Sequence, residues 1–320
     1  MLQNDQIQKL KQKFKSKTKN GHLNIKNYQE LIEFEAVQEM NVKSISINQC
    51  NQISPIIINK TVKELNISGC EPQIIDNLQF ENLEVLHLHF NKVKDIQQFL
   101  KFPKLKKLNL TLNEGVNLSQ IAQLNNITIL ELGQCKLKDI SDIKTLLLEE
   151  LHLSGNQGLD ITPLQYVKSL RKLNIGYCGV QSIAALCTLT CLEELIMYDN
   201  IITHIWPLEH LNQLKVVDLQ LNRIKDFSQI SRRPNFSQFN ISNQLDYTVD
   251  ETKLSNKIQC VDRPITLLRK MYESDNRLMS VILTIKLNIQ QNIFKQRSNQ
   301  LIIAQQAASL FKFYAEECQQ

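Results

Sequence analysis

The sequence predicts an α/β solenoid, a stack of short parallel strands closed by tight helical or 3-10 returns, with an all-α extension at its C-terminal end. Three observations predict it. Aliphatic residues recur with a period of 20–22 residues from about residue 42 to 235. The ninth position of each period is occupied only by Asn or Cys. After residue 245 the apolar spacing changes to steps of three and four.

The repeat LxxLxLxxN/C, with any aliphatic at the L positions, starts at Val42, Val62, Leu83, Leu105, Ile127, Leu148, Leu170, Leu192 and Leu214. The fourth slots are Ile45, Leu65, Leu86, Leu108, Leu130, Leu151, Leu173, Leu195 and Val217. The sixth slots are Ile47, Ile67, Leu88, Leu110, Leu132, Leu153, Ile175, Met197 and Leu219. All 27 slots are apolar in a chain that is 42% hydrophobic, which chance would give about once in 10¹⁰ trials. The ninth slots read Cys50, Cys70, Asn91, Asn113, Cys135, Asn156, Cys178, Asn200 and Asn222. There the chain must leave its strand, and the buried backbone groups of that bend need partners. Asparagine offers a donor and an acceptor, and a thiol is a small apolar weak donor. One repeat cannot bury its own apolar side, so stability has to come from stacking neighbours. Nine such strands make a sheet on the order of 38 Å long.

This pattern is similar to that of the leucine-rich repeat family. The 22-residue period and the second halves Val93-Lys94-Asp95-Ile96, Leu137-Lys138-Asp139-Ile140 and Ile224-Lys225-Asp226-Phe227 resemble one cytosolic subclass. That subclass includes the leucine-rich regulatory subunit of protein phosphatase 1 and related cytosolic and ciliary proteins. The resemblance covers roughly residues 42–235. It implies a repeat solenoid that binds another protein through acidic and aromatic residues of its concave face. The counterparts here would be Glu131, Glu150, Tyr177, Glu194, Tyr198, Asp199 and Trp206.

The repeats divide the chain into four parts. Residues 1–19 form a basic tail with lysine at every second position from Lys9 to Lys19, which reads as solvated and flexible or as an electrostatic contact. Residues 20–41 form an N-terminal cap, with Leu23 and Ile25 in repeat phase and a short helix beginning near Asn27. Residues 42–245 hold nine full repeats and a degenerate terminal one around Phe236, Phe239 and Ile241. Residues 246–320 form a helical extension. Within it Leu268, Met271, Leu278, Ile282, Ile285 and Ile289 have coiled-coil spacing, so 265–320 serves either as an intrachain hairpin or as a dimerising or docking element.

Composition narrows the function. Residues 1–20 carry six lysines and one aspartate, which accounts for the whole net charge of +5. The other 300 residues are balanced, which argues against nucleic acid as the main partner. No apolar run approaches the ~20 residues of a membrane span, and no secretory signal is visible, so a cytoplasmic location is expected. The eight cysteines contain no Cys-x-x-Cys pair, and four share the ninth slot, which speaks against zinc ribbons and disulfides. Cys187 and Cys191 read as packing residues on one return segment. No nucleophile elbow, phosphate loop or His-Glu-x-x-His motif occurs, so no catalysis, cofactor or metal is expected.

If the aliphatic slots point inward, positions 3, 5, 7 and 8 form the concave face. Its apolar and aromatic members are Phe90, Leu112, Tyr177, Ile196, Tyr198 and Leu221. Its polar members include His87, His89, His152, Glu131, Glu150, Glu194, Asp199 and Asp218. Clustered aromatics among polar groups anchor protein contacts. Only Lys107 and Lys172 are basic there, so the face leans acidic and fits a partner with a basic patch. A scaffold or interaction module is the function this predicts. The alternatives are a regulatory subunit of a phosphatase-like enzyme, and a cytoskeletal or nucleic-acid tether through the lysine tail.

Overall fold

The computed structural model describes residues 4–26, 41–48, 57–58, 61–70, 78–227 and 237–241. The chain divides into two compact units, Met1–Asp262 and Arg263–Gln320, and all described residues lie in the first. The helix expected after Asn27, the ninth-slot Cys50 and the extension from 246 lie outside them.

Helix α1 (Asn4–Ser16) opens the chain. Strands β1 (Thr18–Lys19) and β2 (His22–Lys26) pair antiparallel across an Asn20-Gly21 turn whose φ angles are +53° and +81°. Positive φ at both central residues matches the right-handed twist of a hairpin. From β2 onward the strands run parallel: β3 (Ser44–Asn48), β5 (Glu64–Ser68), β7 (Val85–His87), β8 (Lys107–Asn109) and β9 (Ile129–Glu131). The row continues through β10 (Glu150–His152), β11 (Lys172–Asn174), β12 (Glu194–Ile196), β13 (Val216–Asp218) and β14 (Gln238–Asn240). With β1 they form one 12-stranded sheet; β4 (Ile57–Ile58) and β6 (Leu78–Gln79) form a separate parallel pair.

Register follows the sequence period. Leu23 pairs with Ile45, Ile45 with Leu65, Leu65 with Leu86, and the match runs on to Val217 with Phe239. All 27 aliphatic slots are buried in one continuous core. Its other wall comes from the returns, whose 3-10 turns bury Phe99, Ile121, Ile143, Leu164, Leu186 and Leu208 at position 17. Four returns start alike: the side-chain oxygen of Asp95, Asn117, Asp139 or Asp160 accepts the N–H two residues on. The aspartates of the Lys-Asp-Ile segments thus shape the turn.

Within the lysine-rich N-terminus, α1 packs its one aromatic side chain into the core. Phe14 is fully buried, while Lys9, Lys13 and Lys15 stay exposed. One aromatic anchor and the Asn-Gly hairpin suffice to cap the open edge of the sheet, where core would otherwise face water.

The ninth slots form a hydrogen-bonded spine. Asn156 Oδ1 accepts the N–H groups of Cys135 and Leu137, both at 3.0 Å, and its Nδ2 donates to the carbonyls of Leu132 and Leu153. Asn113, Asn200 and Asn222 repeat the arrangement. A cysteine keeps only the donor: Cys135 and Cys178 reach the carbonyls of Leu110 and Leu153, both at 3.2 Å. In two repeats followed by a ladder cysteine, the eleventh position is glycine. Gly115 and Gly158, at φ +72°, turn their N–H toward the main-chain carbonyls of Cys135 and Cys178 at 2.8 Å. Val93, Leu137, Val180 and Ile202 stand at the same position before an asparagine and use its side-chain oxygen. Only a left-handed backbone reaches the carbonyl in place of the missing amide oxygen, and glycine adopts it without strain.

Candidate functional site: the open face of the sheet

The outer sheet face is set by alternation. Positions 4 and 6 point into the core, so positions 3, 5 and 7 point out, and position 8 ends the strand. In all eight described repeats position 8 has positive φ, from +53° at Gln134 to +78° at Gly155. Glycine fills it at Gly69 and Gly155, whereas Phe90, Leu112, Tyr177, Asp199 and Leu221 hold it with a side chain. A left-handed L-residue costs about 1–2 kcal/mol. The bend is held because its N–H meets the neighbouring repeat's carbonyl, as in Leu112 to Gly133 and Tyr177 to Tyr198, both 2.8 Å. The bend therefore lines up one row of side chains along the edge of the face. Phe90 is the most open of them, 65% exposed, while Leu112, Tyr177, Asp199 and Leu221 are half-buried.

Electrostatically the face has two halves. In the first, carboxylates are paired. Glu131 receives Lys107 Nζ at 2.6 Å and Asn109 Nδ2 at 2.5 Å. Burial raises its pKa, but Lys107 and His152 outweigh that and hold it below the usual range. Glu150 bonds Lys172 at 2.7 Å, which raises the lysine. His87 stands 3.9 Å from Glu64. Burial lowers His152 against the pull of Glu131 and Glu150. The acidic lean read from the sequence is cancelled here by Lys107 and Lys172.

The second half, on β12 and β13, keeps its charge. Burial raises Glu194, with Lys172 opposing, and lifts Asp199 and Asp218 to about 6. Neither aspartate has an ion-pair partner among the described residues. Asp218 is held by the Gln220 backbone N–H at 3.1 Å and by its Nε2 at 3.0 Å. The Asp199 main-chain N–H donates to the Gln220 carbonyl at 2.9 Å. Tyr177 is raised by burial and by Asp199. The Tyr198 ring lies across Gly176: a Cβ there would stand 2.4 Å from its Cε1.

Three residues expected to face solvent do not. His89 is 4% exposed, Ile196 1% and Asp218 3%. They lie mid-face, where strands ~4.8 Å apart crowd side chains from both neighbours; Ile196 is in register between Asn174 and Asp218. The face also contains amides that the charge and aromatic pattern does not reveal. Asn174 Oδ1 accepts the Gly176 N–H at 3.0 Å, yet its buried Nδ2 has no partner. Asn109 has the same turn on β8, but its Nδ2 finds Glu131 on the next strand, where Asn174 meets Ile196. An Asn-x-Gly at positions 5 to 7, followed one repeat later by an aliphatic and a tyrosine, is the sequence signal for it.

On the opposite side Trp206 is 46% exposed and lies edge-on to His210, with ring centroids 6.3 Å apart. Cys187 is half-buried and Cys191 exposed, so Cys191 is no packing residue. Among the described residues no group of three or more His, Cys, Asp or Glu side chains could hold a metal, and no helix is long and apolar enough to cross a membrane.

A parallel sheet of this length, with an aliphatic spine and an Asn/Cys ladder, defines a repeat solenoid. An internalin from Listeria monocytogenes matches at TM-score 0.59 and 24% identity, over 78% of this chain and 74% of its own. A leucine-rich-repeat protein of Leptospira interrogans matches at TM-score 0.53 and 22% identity, over 70% and 68%. A plant peptide hormone receptor, RGFR1, in complex with RGF2, matches at TM-score 0.51 and 17% identity, over 70% and 40%. No protein-family model matches the sequence, and no curated protein matches it. The chain has the fold of a leucine-rich-repeat solenoid.

Proposed function

We propose that this chain is a protein-interaction module that holds a partner on the concave sheet face. One observation carries the reading: at position 8 the fold fixes Phe90, Leu112, Tyr177 and Leu221 in left-handed backbone, lining apolar side chains along one edge of a polar face. Core packing gains little from half-exposed aromatics in that conformation, whereas an interface uses rigid anchors ringed by polar groups. The plant receptor supports the reading by analogy, since it is seen with a peptide hormone. Its reaction class is binding, without catalysis, and its partner carries a basic patch opposite Glu194 and Asp199. The 22-residue spacing supports membership of the cytosolic subclass.

Affinity capture from the source cell tests this with three proteins: wild type, Tyr177→Ala/Tyr198→Ala, and Lys9→Gln/Lys13→Gln/Lys15→Gln. Removing the whole N-terminus is unsuitable because it would take Phe14 out of the core. The tyrosine variant is expected to lose the partner by about tenfold or more, and the lysine variant to keep it. Loss on the lysine variant alone would transfer the function to α1 and refute the concave-face reading.

A further inference from the structure

The two carboxylates on β12 and β13 are costly to keep. A buried charge is normally paired or hydrogen-bonded, because losing water without a counter-charge destabilises it. Asp218 accepts from Gln220, the Asp199 main chain bonds the Gln220 carbonyl, and neither carboxylate has an ion-pair partner among the described residues. Both stand at one end of a face on which Glu131 and Glu150 do have lysine partners. Tyr177 lies close enough to Asp199 to be raised by it, and the Tyr198 ring lies over Gly176 on the neighbouring repeat.

A second observation is independent of charge. Asn174 is 1% exposed, and its amide orientation is fixed by the Gly176 N–H on Oδ1. Its Nδ2 therefore stays buried beneath the face without an acceptor. Such a donor is matched by a carbonyl oxygen and not by a cation. From β11 to β13 is two strand spacings, about 10 Å, the span of roughly three extended residues.

Resting on the concave-face reading above, we infer that this end of the sheet is a pocket for one basic side chain of an extended partner segment. The arginine or lysine head lies between Asp199 and Asp218 beside the two tyrosines, and Asn174 Nδ2 donates to a main-chain carbonyl of the same segment. The cation supplies the missing counter-charge, the rings add cation–π attraction, and the amide fixes the direction of the chain.

The test uses the full chain and two Ser/Gly heptapeptides, one with a central arginine and one with its neutral isostere citrulline, followed by amide chemical shifts. The arginine peptide is expected to give saturable shifts confined to residues 174–221. The citrulline peptide, and the Asp199→Asn/Asp218→Asn protein with the arginine peptide, should each bind at least about tenfold more weakly. Removing buried charge should leave the variant folded at least as firmly as wild type, so weaker binding cannot be put down to unfolding. Equal binding of the two peptides, undiminished binding by the variant, shifts centred elsewhere, or no saturation by ~10 mM overturns the inference. Partner capture that ignores the tyrosine substitutions while the arginine peptide still binds here would instead sink the concave-face reading and leave the pocket standing.

Discussion

Replacing Asn156 by Ala is the sharpest test of how this solenoid holds together. The substitution removes four hydrogen bonds at once, two accepted by Oδ1 and two donated by Nδ2, at distances of 2.6–3.0 Å. It leaves the N–H groups of Cys135 and Leu137 buried without an acceptor, and each such group costs about 1–3 kcal/mol. The two carbonyls lose less, since a carbonyl oxygen is more tolerant of partial satisfaction. The sum is about 3–6 kcal/mol, a large share of the stability of a domain of this size. Cys135→Ala is the matched control. It removes a thiol bond to the Leu110 carbonyl at 3.2 Å, while the Gly115 N–H keeps its main-chain acceptor. Its cost should be about 1 kcal/mol. Urea unfolding followed by circular dichroism, compared at a shared slope, reads the difference. If Asn156→Ala falls within about 1 kcal/mol of Cys135→Ala, the ladder is ornament and the spine is held by aliphatic packing alone.

Two further predictions concern stability. Burial lifts the Asp218 carboxyl to about 6 from the ordinary aspartate value of about 3.8, so its ionised form opposes folding by about 3 kcal/mol at neutral pH. That penalty is absent below the unfolded value and grows as pH rises from about 4 to 6. Asp218→Asn keeps the oxygen that accepts the Gln220 N–H, as Asn109 and Asn174 do at the same position. It should stabilise the protein by about 1–3 kcal/mol at pH 7.5 and by little at pH 4.5; an equal gain at both would show that charge is not the cause. Phe14→Ala should cost about 3–5 kcal/mol locally and raise amide exchange along β2, and unchanged protection of Leu23 and Ile25 would contradict the cap.

The spine and the strands are legible in the sequence, because a strict period forces every aliphatic slot to the same side. The terminal strands β2 and β14 were legible for the same reason, through Leu23 and Ile25 at one end and Phe239 and Ile241 at the other. The N-terminal cap was legible in principle: Asn20-Gly21 is a hairpin signal, but alternating lysines drew attention to solvent. Burial on the outer face was not legible. Whether His89 or Ile196 reaches water depends on the bulk of residues one repeat away, and a single period carries no such information. The left-handed row at position 8 was hidden too, because bulky Phe90, Leu112 and Tyr177 stand where glycine would have announced the bend.

The cysteines of the ladder also have a chemical consequence. Burial pushes the Cys135 and Cys178 thiols up to about 12, so in the closed stack they are neither ionised nor reachable by an alkylating reagent. Cys191 lies open to solvent in the same molecule. Labelling kinetics at these three positions would therefore time how often interior turns part from one another, with the surface thiol as an internal clock.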